Sequence, residues 1–510
     1  MTAAAALTYR FAYPMAGATT TRTVYNYSDT SVFTNNKNTT ASGNAIIMLS
    51  TTDPSNLSSV TPTAMGRFAS GSFRPVTAPD GSMYVAGVIT NSLPGTLYNA
   101  AGTAVFTMPN PLYSTNDTFG AKFNSNGVPL WYVRLLSINA DNTSFATTDS
   151  SSFLYVCGNR TQTSGRNEFS IFNSDGTFTN IQNYTISSNV DFFAVVFNTA
   201  GFMSSYMLIE SLLLEAAYTM IVDDTSSSIY IAGSLNINST TSPSIVRDFN
   251  GNSYAFNHNG DTSILSDGSD TWLFRMNKAG TSGTQWTAWI SGATGNEERP
   301  TYVALLPDGI RNDPVITSNG RNRLIVYNAD GSVFCNVLPN VVIATNFLSV
   351  VVRYNATTGA PIWAIGFDHG SAAVDCRLTC TSGLAVYVYI RSLLITVNKT
   401  YGQSPTIIDN NVNVLAMGNP PSQAIMKFVD GVYQWVIYFN VANAGGVSVN
   451  IETVNDQVFA TLRFTGQFSF TGPVNSLTTP LFTGGILVTM VVHIAPNGFV
   501  TIISYVRTFL

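Results

Sequence analysis

The chain has 510 residues, of which 45% are hydrophobic and only 10% are charged, with a net charge of −5. A globular protein carries about 25% charged residues, and here Asn, Thr, Ser and Gly supply most of the polarity. This balance excludes the basic surface that nucleic acid requires, and no segment reaches the ~18 apolar residues of a membrane helix. The composition is typical of proteins at outer surfaces, so we expect an extracellular, cell-surface or virion-surface location.

The first predicted elements are an apolar strand at residues 7–13 and a hairpin at residues 22–34. They precede a weak copy, at residues 45–50, of a phrase that recurs along the chain. In later copies a further strand stands ahead of these elements, and the N-terminus has no match for it. The first repeat is therefore predicted to be incomplete.

The recurring phrase is an apolar strand, a tight turn and a second strand that usually ends on an aromatic residue. Its copies lie at residues 119–131, 194–206, 273–286, 351–363 and 425–435, with a weaker copy at residues 490–499. The aromatic markers are Trp131, Tyr206, Trp286, Trp363 and Trp435, separated by 75, 80, 77 and 72 residues. A period of this length indicates one repeated supersecondary unit.

Each unit also contains a short apolar strand and an added hairpin. The strand recurs at residues 83–87, 154–158 and 229–233, and the hairpin at residues 97–106, 171–178 and 326–334. Short strands separated by Asn, Asp and Gly turns, without a sustained helical period, indicate an all-β fold. Seven units of ~75 residues, each with four core strands and a hairpin, predict a single seven-bladed β-propeller over residues 1–510.

The five aromatic markers are interpreted as packing residues between blades, with an exposed aromatic binding platform as the alternative. The residues 121–131 and 148–158 resemble the SBBP-type β-propeller repeat, and the resemblance extends over nearly the whole chain. It implies a propeller fold in an exported or surface protein. It carries no catalytic residues.

The N-terminal segment, residues 1–42, has two predicted roles. It closes its own ring, or it pairs with the sheet of a neighbouring subunit, because an unpaired strand edge is a template for another chain. The apolar residues expected to stabilise this junction are Leu7, Phe11, Val24, Tyr25, Val32 and Phe33. Deleting residues 1–42 is expected to abolish ring stability or polymerisation.

Side-chain chemistry offers no active site. No recognised catalytic motif, cofactor-binding loop or clustered metal ligands are found, so we expect no catalytic residues, cofactor or metal. Asp368-His369 is interpreted as a polar turn and Asp223-Asp224 as a solvated loop. The four cysteines Cys157, Cys335, Cys376 and Cys380 are interpreted as buried small hydrophobic residues, with a disulfide to a distant cysteine left open.

Asparagine acceptor sites for glycosylation number ten, which is what chance gives in a chain this rich in Asn, Ser and Thr. They are Asn26, Asn38, Asn56, Asn116, Asn142, Asn159, Asn183, Asn238, Asn355 and Asn398. The count is therefore no evidence of glycosylation, and it shows only that sites exist if the host glycosylates.

Three functions are compatible with these features. The leading hypothesis is a non-enzymatic structural protein that assembles with copies of itself into a fibre or coat. The alternative is a lectin-like or adhesive propeller that binds partners such as glycans through loops on one face. A propeller enzyme is disfavoured, because it needs several charged residues that converge on the central channel.

Overall fold

The computed structural model describes part of the chain. The described residues are 7–15, 22–26, 31–35, 43–51, 61–68, 73–90, 96–99, 103–108, 116–137, 141–161, 168–182, 190–210, 215–236, 244–247, 253–256, 269–278, 286–292, 299–328, 330–338, 347–369, 375–392, 395–402, 407–409, 414–415, 422–442, 448–454, 456–479 and 482–509. Every regular element within these ranges is a β-strand. The prediction of an all-β chain is confirmed.

The strands follow one another closely along the chain. In chain order they are β1 (Leu7–Met15), β2 (Arg22–Asn26), β3 (Ser31–Asn35), β4 (Gly43–Thr51), β5 (Thr61–Phe68), β6 (Phe73–Thr77), β7 (Met83–Thr90), β8 (Thr96–Tyr98), β9 (Ala104–Thr107), β10 (Asn116–Phe123), β11 (Pro129–Ser137), β12 (Asp141–Thr148), β13 (Leu154–Thr161), β14 (Glu168–Phe172), β15 (Phe178–Gln182), β16 (Val190–Phe197), β17 (Met203–Glu210), β18 (Glu215–Asp223), β19 (Ser228–Asn236), β20 (Ser244–Arg247), β21 (Ser253–Phe256), β22 (Ser269–Asn277), β23 (Trp286–Gly292), β24 (Arg299–Pro307), β25 (Asn312–Arg321), β26 (Leu324–Tyr327), β27 (Val333–Val337), β28 (Phe347–Tyr354), β29 (Pro361–Asp368), β30 (Asp375–Thr381), β31 (Ala385–Ser392), β32 (Ile395–Gly402), β33 (Ile407–Asp409), β34 (Val414–Leu415), β35 (Ser422–Val429), β36 (Val432–Ala442), β37 (Ser448–Val454), β38 (Gln457–Thr471), β39 (Ser476–Thr478), β40 (Phe482–Ile494) and β41 (Val500–Phe509).

These strands form several antiparallel sheets, numbered here in chain order. Sheet 1 has the order β1-β4-β5-β8-β9, sheet 2 β6-β7-β10-β11-β14-β15, sheet 3 β12-β13-β16-β17-β20-β21 and sheet 4 β18-β19-β22-β23-β26-β27. Sheet 5 has the order β24-β25-β28-β29-β32-β33, with β34 also on β32. Sheet 6 is a path of β30-β31-β35-β36-β38-β40-β41-β2-β3, with β37 and β39 on β38.

Sheet 6 consists of two halves that share the long strand β38. Residues 467–471 of β38 pair with β36, in the half that we call 6a, which also contains β30, β31, β35 and β39. Residues 457–466 of β38 pair with β37 and β40, in the half that we call 6b, which continues through β41 to β2 and β3. Each half repeats the strand order of sheets 2 to 5.

Consecutive sheets are interlaced. The outermost hairpin of each sheet comes from the chain between the second and third strands of the next sheet. Hairpin β14–β15, for example, pairs with β11 of sheet 2 although it lies in the chain between β13 and β16 of sheet 3. The N-terminal hairpin follows the same rule, because β2–β3 lies between β1 and β4 of sheet 1 and pairs with β41 of half 6b.

Alternation along the strands explains why the core lies between sheets. Leu154 and Val156 of β13 pack in the cluster shared by sheets 2 and 3. Their neighbours Tyr155 and Cys157 pack in the cluster shared by sheets 3 and 4. Similar clusters join sheets 1 and 2, 4 and 5, 5 and 6a, and 6a and 6b. A strand with period two buries both of its faces when its sheet lies between two others.

Six strands form what we call the inner series: β6, β12, β18, β24, β30 and β37. Each is the terminal strand of its sheet or half-sheet, and each contacts the next one in this order. Sheet 1 contributes no such strand among the described residues, and β1, which corresponds to the second strand of the other sheets, contacts both β37 and β6.

Candidate functional site

Among the described residues, the turns between first and second, third and fourth, and fifth and sixth strands lie at one edge of the sheets, because neighbouring strands are antiparallel. We call this the turn edge. Its hairpins form because side-chain amides replace backbone partners: Asn124 Oδ1 accepts the N–H groups of Asn126 and Val128, and Gly127 adopts a φ of 71°. Asn198 makes the same two bonds, to Ala200 and Phe202.

Three of the five aromatic markers bridge consecutive sheets at the turn edge. Trp131 donates its indole N–H to Thr199 O at 2.9 Å, in the turn between β16 and β17 of the next sheet. Trp286 donates to Ala356 O at 3.1 Å and Trp435 to Pro496 O at 3.1 Å, in the equivalent turns of sheet 5 and half 6b.

The turn glycines of these junctions lie directly against the indole rings. A Cβ atom at Gly359 would lie 2.6 Å from Trp286, and one at Gly201 would lie 2.9 Å from Trp131. Both glycines also have positive φ angles, of +70° and +84°. The turn therefore requires glycine both for its backbone conformation and for the close approach of the ring.

Trp363 is buried in the cluster between sheet 5 and half 6a, and its indole N–H has no acceptor among the described residues. The turn that would supply one is shorter, because only Asp430 and Gly431 separate β35 from β36. Asp430 instead accepts a hydrogen bond from Arg353 of sheet 5 at 2.8 Å. A charged pair thus occupies the place of the tryptophan bridge.

Tyr206 faces the other way from the tryptophans. Trp131 pairs with Lys122, just before the bulge at Phe123, whereas Ser205 holds the corresponding position on β17 and Tyr206 comes one residue later. A shift of one residue reverses the face of a strand. Tyr206 consequently packs against the cluster between sheets 2 and 3, the one that contains Trp131.

Charged and polar bridges join further sheets along the turn edge. Lys278 of sheet 4 contacts Asp149 of sheet 3 at 2.5 Å and Asp224 of its own sheet at 2.6 Å. Asn312 of sheet 5 donates to Asp223 of sheet 4 at 2.7 Å, and Ser382 N–H of half 6a donates to Asp456 of half 6b at 2.6 Å. Asp223 is therefore buried, which corrects its interpretation as part of a solvated loop, whereas Asp224 lies exposed in the turn as predicted.

The ion pairs hold Asp224 and Lys278 in their charged forms. Partial burial opposes ionisation of Asp224, but the hydrogen bond from Lys278 outweighs it and lowers the pKa of the carboxyl group. Burial likewise opposes the charge on Lys278, and the hydrogen bonds to Asp149 and Asp224 nevertheless raise the pKa of the ammonium group. The bridges consequently persist across the neutral pH range.

The innermost strands are joined by threonine hydroxyls. Thr301 on β24 donates to Cys376 O of β30 at 2.5 Å, and Thr453 on β37 donates to Cys380 O of β30 at 2.8 Å. Thr143 on β12 donates to Gly87 O of β7 at 2.9 Å. These side-chain bonds satisfy main-chain carbonyls of strands that do not pair with the strand carrying the threonine.

A half-buried cluster joins inner strands that are not neighbours. The Tyr302 hydroxyl of β24 donates to Asn450 Oδ1 of β37 at 2.6 Å, and Arg377 of β30 donates to the same oxygen at 3.3 Å. Phe145 of β12 meets the Tyr302 ring edge-on at 6.0 Å between centroids. This central cluster ties four members of the inner series together and is the strongest candidate for a polar site that the sequence did not reveal.

The residues predicted to act in assembly lie on the N-terminal strands. Leu7 and Phe11 are on β1, Val24 and Tyr25 are on β2, and Val32 and Phe33 are on β3. Val24 stands opposite Val506 and Tyr25 opposite Tyr505 of β41 in the same chain. The pairing of the backbone is described, whereas the surroundings of these side chains lie outside the described residues.

Of the ten acceptor asparagines, three have described side-chain environments. Asn159 Oδ1 accepts the N–H of Ala217 in the next sheet, and Asn355 Oδ1 accepts the N–H groups of Thr357 and Thr358. Asn116 is half-buried at the start of β10. Asn26, Asn142 and Asn398 lie on strands, and Asn38, Asn56, Asn183 and Asn238 lie outside the described residues.

The four cysteines are buried as free thiols, which confirms their interpretation as small hydrophobic residues. Burial raises the pKa of Cys335 to about 12. Asp368 and His369 are also buried, at the end of β29, so the prediction of a polar turn there is wrong. His369 Nε2 lies 2.8 Å from Ser349 Oγ, and burial lowers the pKa of its imidazole to about 3.

Within the described ranges, no three His, Cys, Asp or Glu side chains are placed to share a metal ion. The described part of the chain also contains no helix of the length and hydrophobicity required to cross a membrane.

No protein-family model matches the chain, and no curated protein matches it. Among solved structures it is similar to the extracellular domain of a one-component system from B. thetaiotaomicron, at 9% identity over 98% of each chain and a TM-score of 0.17. It is also similar to the extracellular domain of a hybrid two-component system from B. thetaiotaomicron, at 10% identity over 95% of this chain and 72% of that one, with a TM-score of 0.16. Scores this low carry no argument about fold or function.

Proposed function

We propose that the protein is a non-enzymatic structural protein, a seven-bladed β-propeller of the SBBP type that acts outside the cell or on a virion surface. The carrying observation is the repetition of one strand order in sheets 1 to 5 and in halves 6a and 6b, which makes seven units. Radial repetition leaves only short, protected edges, and it suits a scaffold. The low charge of the chain and the absence of recognised catalytic motifs from its sequence agree with this function.

In this proposal the N-terminal hairpin closes the ring, since β2–β3 completes half 6b by pairing with β41. Among the outermost hairpins, β2–β3 is the one that pairs an N-terminal strand with the last strand of the chain, β41. Assembly into a fibre or coat would follow if the hairpin pairs with β41 of a neighbouring subunit in place of its own. The same contacts serve both arrangements, as in domain swapping.

Electron microscopy of the purified full chain tests the fold and the assembly together. Class averages with seven radial densities are expected, as closed single rings or as rings linked into filaments. A variant that lacks residues 22–35 is expected to lose ring closure and linkage. Its matched control lacks residues 244–256, which contain the outermost hairpin of sheet 3, and should keep the closed ring. Averages without sevenfold character, or identical behaviour of the two deletions, would contradict the proposal.

A second candidate, an adhesive or lectin-like propeller, is favoured by one observation at the turn edge. The residue after the turn glycine is apolar and exposed in several units: Val128, Phe202, Val432 and Phe499. Glycan-array binding that disappears in a Phe202→Ser, Phe499→Ser variant with unchanged thermal stability would support this function. Loss of stability without any glycan binding would count against it.

A further inference from the structure

The inner series closes on itself, so side chains that reach past a neighbouring strand meet across its middle. Its six strands contact one another in order, and β1 contacts both end members, β37 and β6. The bond from Tyr302 to Asn450 joins sheet 5 to half 6b past half 6a. The contact of Phe145 with Tyr302 joins sheet 3 to sheet 5 past sheet 4. The central cluster consequently faces the channel that a propeller encloses.

One register position supplies the residues that meet there. The second strand of each unit contains a four-residue phrase, such as Leu154–Cys157, and the position is the inner-strand residue opposite the fourth residue of that phrase. Phe145 pairs with Cys157 in this way, and Arg377 pairs with Tyr389. We call the set the axial layer, and its members are Arg74, Phe145, Thr219, Tyr302, Arg377 and Asn450. The side chain of Arg74 lies outside the described residues.

The next position along each inner strand keeps one chemistry in all six units. Its residues are apolar, namely Pro75, Ala146, Met220, Val303, Leu378 and Ile451. The axial layer instead combines aromatic, hydroxyl, amide and guanidinium groups. The repeat therefore preserves the position that packs between sheets and varies the position that faces the channel. A binding site on a repeated scaffold is expected where the units differ, because function is carried by individual side chains added to a common fold.

Two donors from different sheets converge on one oxygen in this layer. The Tyr302 hydroxyl donates to Asn450 Oδ1 at 2.6 Å, and Arg377 Nη1 donates to the same oxygen at 3.3 Å. Convergent donors of this kind suit an oxyanion. The Asn450 amide N–H donates to Glu452 Oε1 at 3.3 Å, so along this chain of bonds the amide stands between the guanidinium and that carboxylate. The bond from Arg377 is longer than the ~2.7–2.9 Å of a guanidinium bound to a charged oxygen.

We propose that the axial layer binds a small oxyanion, a carboxylate or phosphate group, whose oxygen replaces Asn450 Oδ1 between Tyr302 and Arg377. This inference rests on the ring proposed above. The exchange is favourable because a guanidinium binds a charged oxygen more strongly than an amide oxygen. Tyr302, Arg377 and Asn450 are half-buried, so solvent reaches them while the surrounding protein reduces the screening of the charge. The half-buried ring of Phe145 provides an apolar contact for the body of the ligand.

Isothermal titration calorimetry of the full chain with citrate and with inorganic phosphate tests the site and distinguishes the two kinds of anion. We expect saturable binding of at least one of them. Arg377→Gln should weaken this binding at least about tenfold, because a charge-assisted hydrogen bond is lost. Tyr302→Phe keeps the ring beneath the guanidinium and loses the hydroxyl, and it should weaken binding about fivefold. The second variant keeps the test decisive if the first does not fold.

Asn450→Ala gives the prediction that a structural role would not. It removes the oxygen that competes with the anion, so binding should become at least about threefold tighter. The matched controls are Arg323→Gln and Asn336→Ala, which break an exposed pair of the same kind on sheet 4. There Arg323 Nε and Nη2 donate to Asn336 Oδ1 at 3.2 Å and 2.9 Å. Neither control should change the affinity for the anion.

Three results would overturn the proposal. Neither anion binds, or Arg377→Gln binds as tightly as the parent chain, or Asn450→Ala binds no more tightly than the parent chain. If microscopy shows seven units while no anion binds, the site is disproved and the proposed function stands.

Discussion

Equivalent strands form two different kinds of bridge at the junction between sheets 4 and 5 and at the junction between sheet 5 and half 6a. In the first, Trp286 donates to Ala356 O and lies against Gly359. In the second, the turn has only Asp430 and Gly431, and Arg353 reaches Asp430. At these two junctions the repeat preserves a bridge between sheets, while the chemistry of the bridge changes with turn length.

The largest expected effect comes from the buried anchor of the charged junction. Asp313 is fully buried and binds Arg353 at 2.8 Å, Arg311 at 2.8 Å and the N–H of Ala356 at 2.9 Å. Asp313→Ala should lower the free energy of unfolding by about 3 kcal/mol or more, because the buried guanidinium of Arg353 loses the one partner that is fully buried. Urea unfolding measures the change.

Asp430→Ala is the control for this prediction. The Asp430 carboxylate is 54% exposed, so its removal should lower the free energy of unfolding by about 1 kcal/mol or less. Equal losses would mean that the exposed pair carries the junction.

The tryptophan junction can be tested at its glycine. Gly359→Ala places a Cβ atom 2.6 Å from the Trp286 ring at a φ of +70°. Gly383→Ala has the same φ and no heavy atom within 4 Å, so it is a matched control for backbone strain. Both variants should lose about 1–2 kcal/mol from the left-handed backbone, and Gly359→Ala about 1–3 kcal/mol more from crowding. Thermal melts of the two variants should differ accordingly. Equal melting temperatures would show that the ring moves aside freely.

Acid should lower the stability of the interface between sheet 5 and half 6a through His369, which takes no part in the ion pairs of that interface. His369 stacks near Phe367, whose side chain belongs to the cluster between sheet 5 and half 6a. Its folded pKa of about 3 lies below its ordinary value of 6.5, so the unfolded chain takes up a proton first as the pH falls. Stability should therefore drop between pH 6.5 and pH 3, by up to about 1.4 kcal/mol per pH unit. Urea unfolding from pH 8 to pH 4.5 should show a shallower slope for His369→Gln. Parallel slopes would exclude the imidazole as the cause.

The smallest expected difference separates the two tryptophans. Trp286→Phe leaves Ala356 O without its indole donor, whereas Trp363→Phe removes an N–H that has no acceptor among the described residues. Both changes shrink a buried ring, so the loss of packing is similar. Trp286→Phe should cost about 1 kcal/mol more in free energy of unfolding. A larger loss for Trp363→Phe would mean that its N–H has a partner in the native protein.

Much of the local structure could be predicted from the sequence. The strand at residues 7–13 and the hairpin at residues 22–34 correspond to β1, β2 and β3. These features depend on alternation and turn residues, which are local signals. The exchange of hairpins between sheets could not be predicted, because alternation specifies which faces are buried and does not specify which strand lies alongside.

The orientation and burial of single side chains were predicted less well, because strand register and packing between sheets determine them. The Tyr206 side chain faces the preceding sheet because β17 is offset by one residue from the other marked strands. Asp368 and His369 look like turn residues in the sequence, yet they are buried beside Ser349 and the start of β28. Tyr302, Arg377 and Asn450 carry no shared motif, and only the arrangement of sheets brings them together.

Interlacing also affects how the protein is made on the ribosome. Each of sheets 1 to 5 and half 6a receives its outermost hairpin from the stretch of chain that is synthesised next. Hairpin β2–β3 must wait for β41, because roughly 465 residues separate Asn35 from Val500. At translation rates of about 5–20 residues per second, the hairpin waits on the order of 20–90 s for its partner. If subunits exchange hairpins as proposed, two nascent chains on one messenger RNA have that time in which to do so, and the spacing of ribosomes would then affect the fraction of linked molecules.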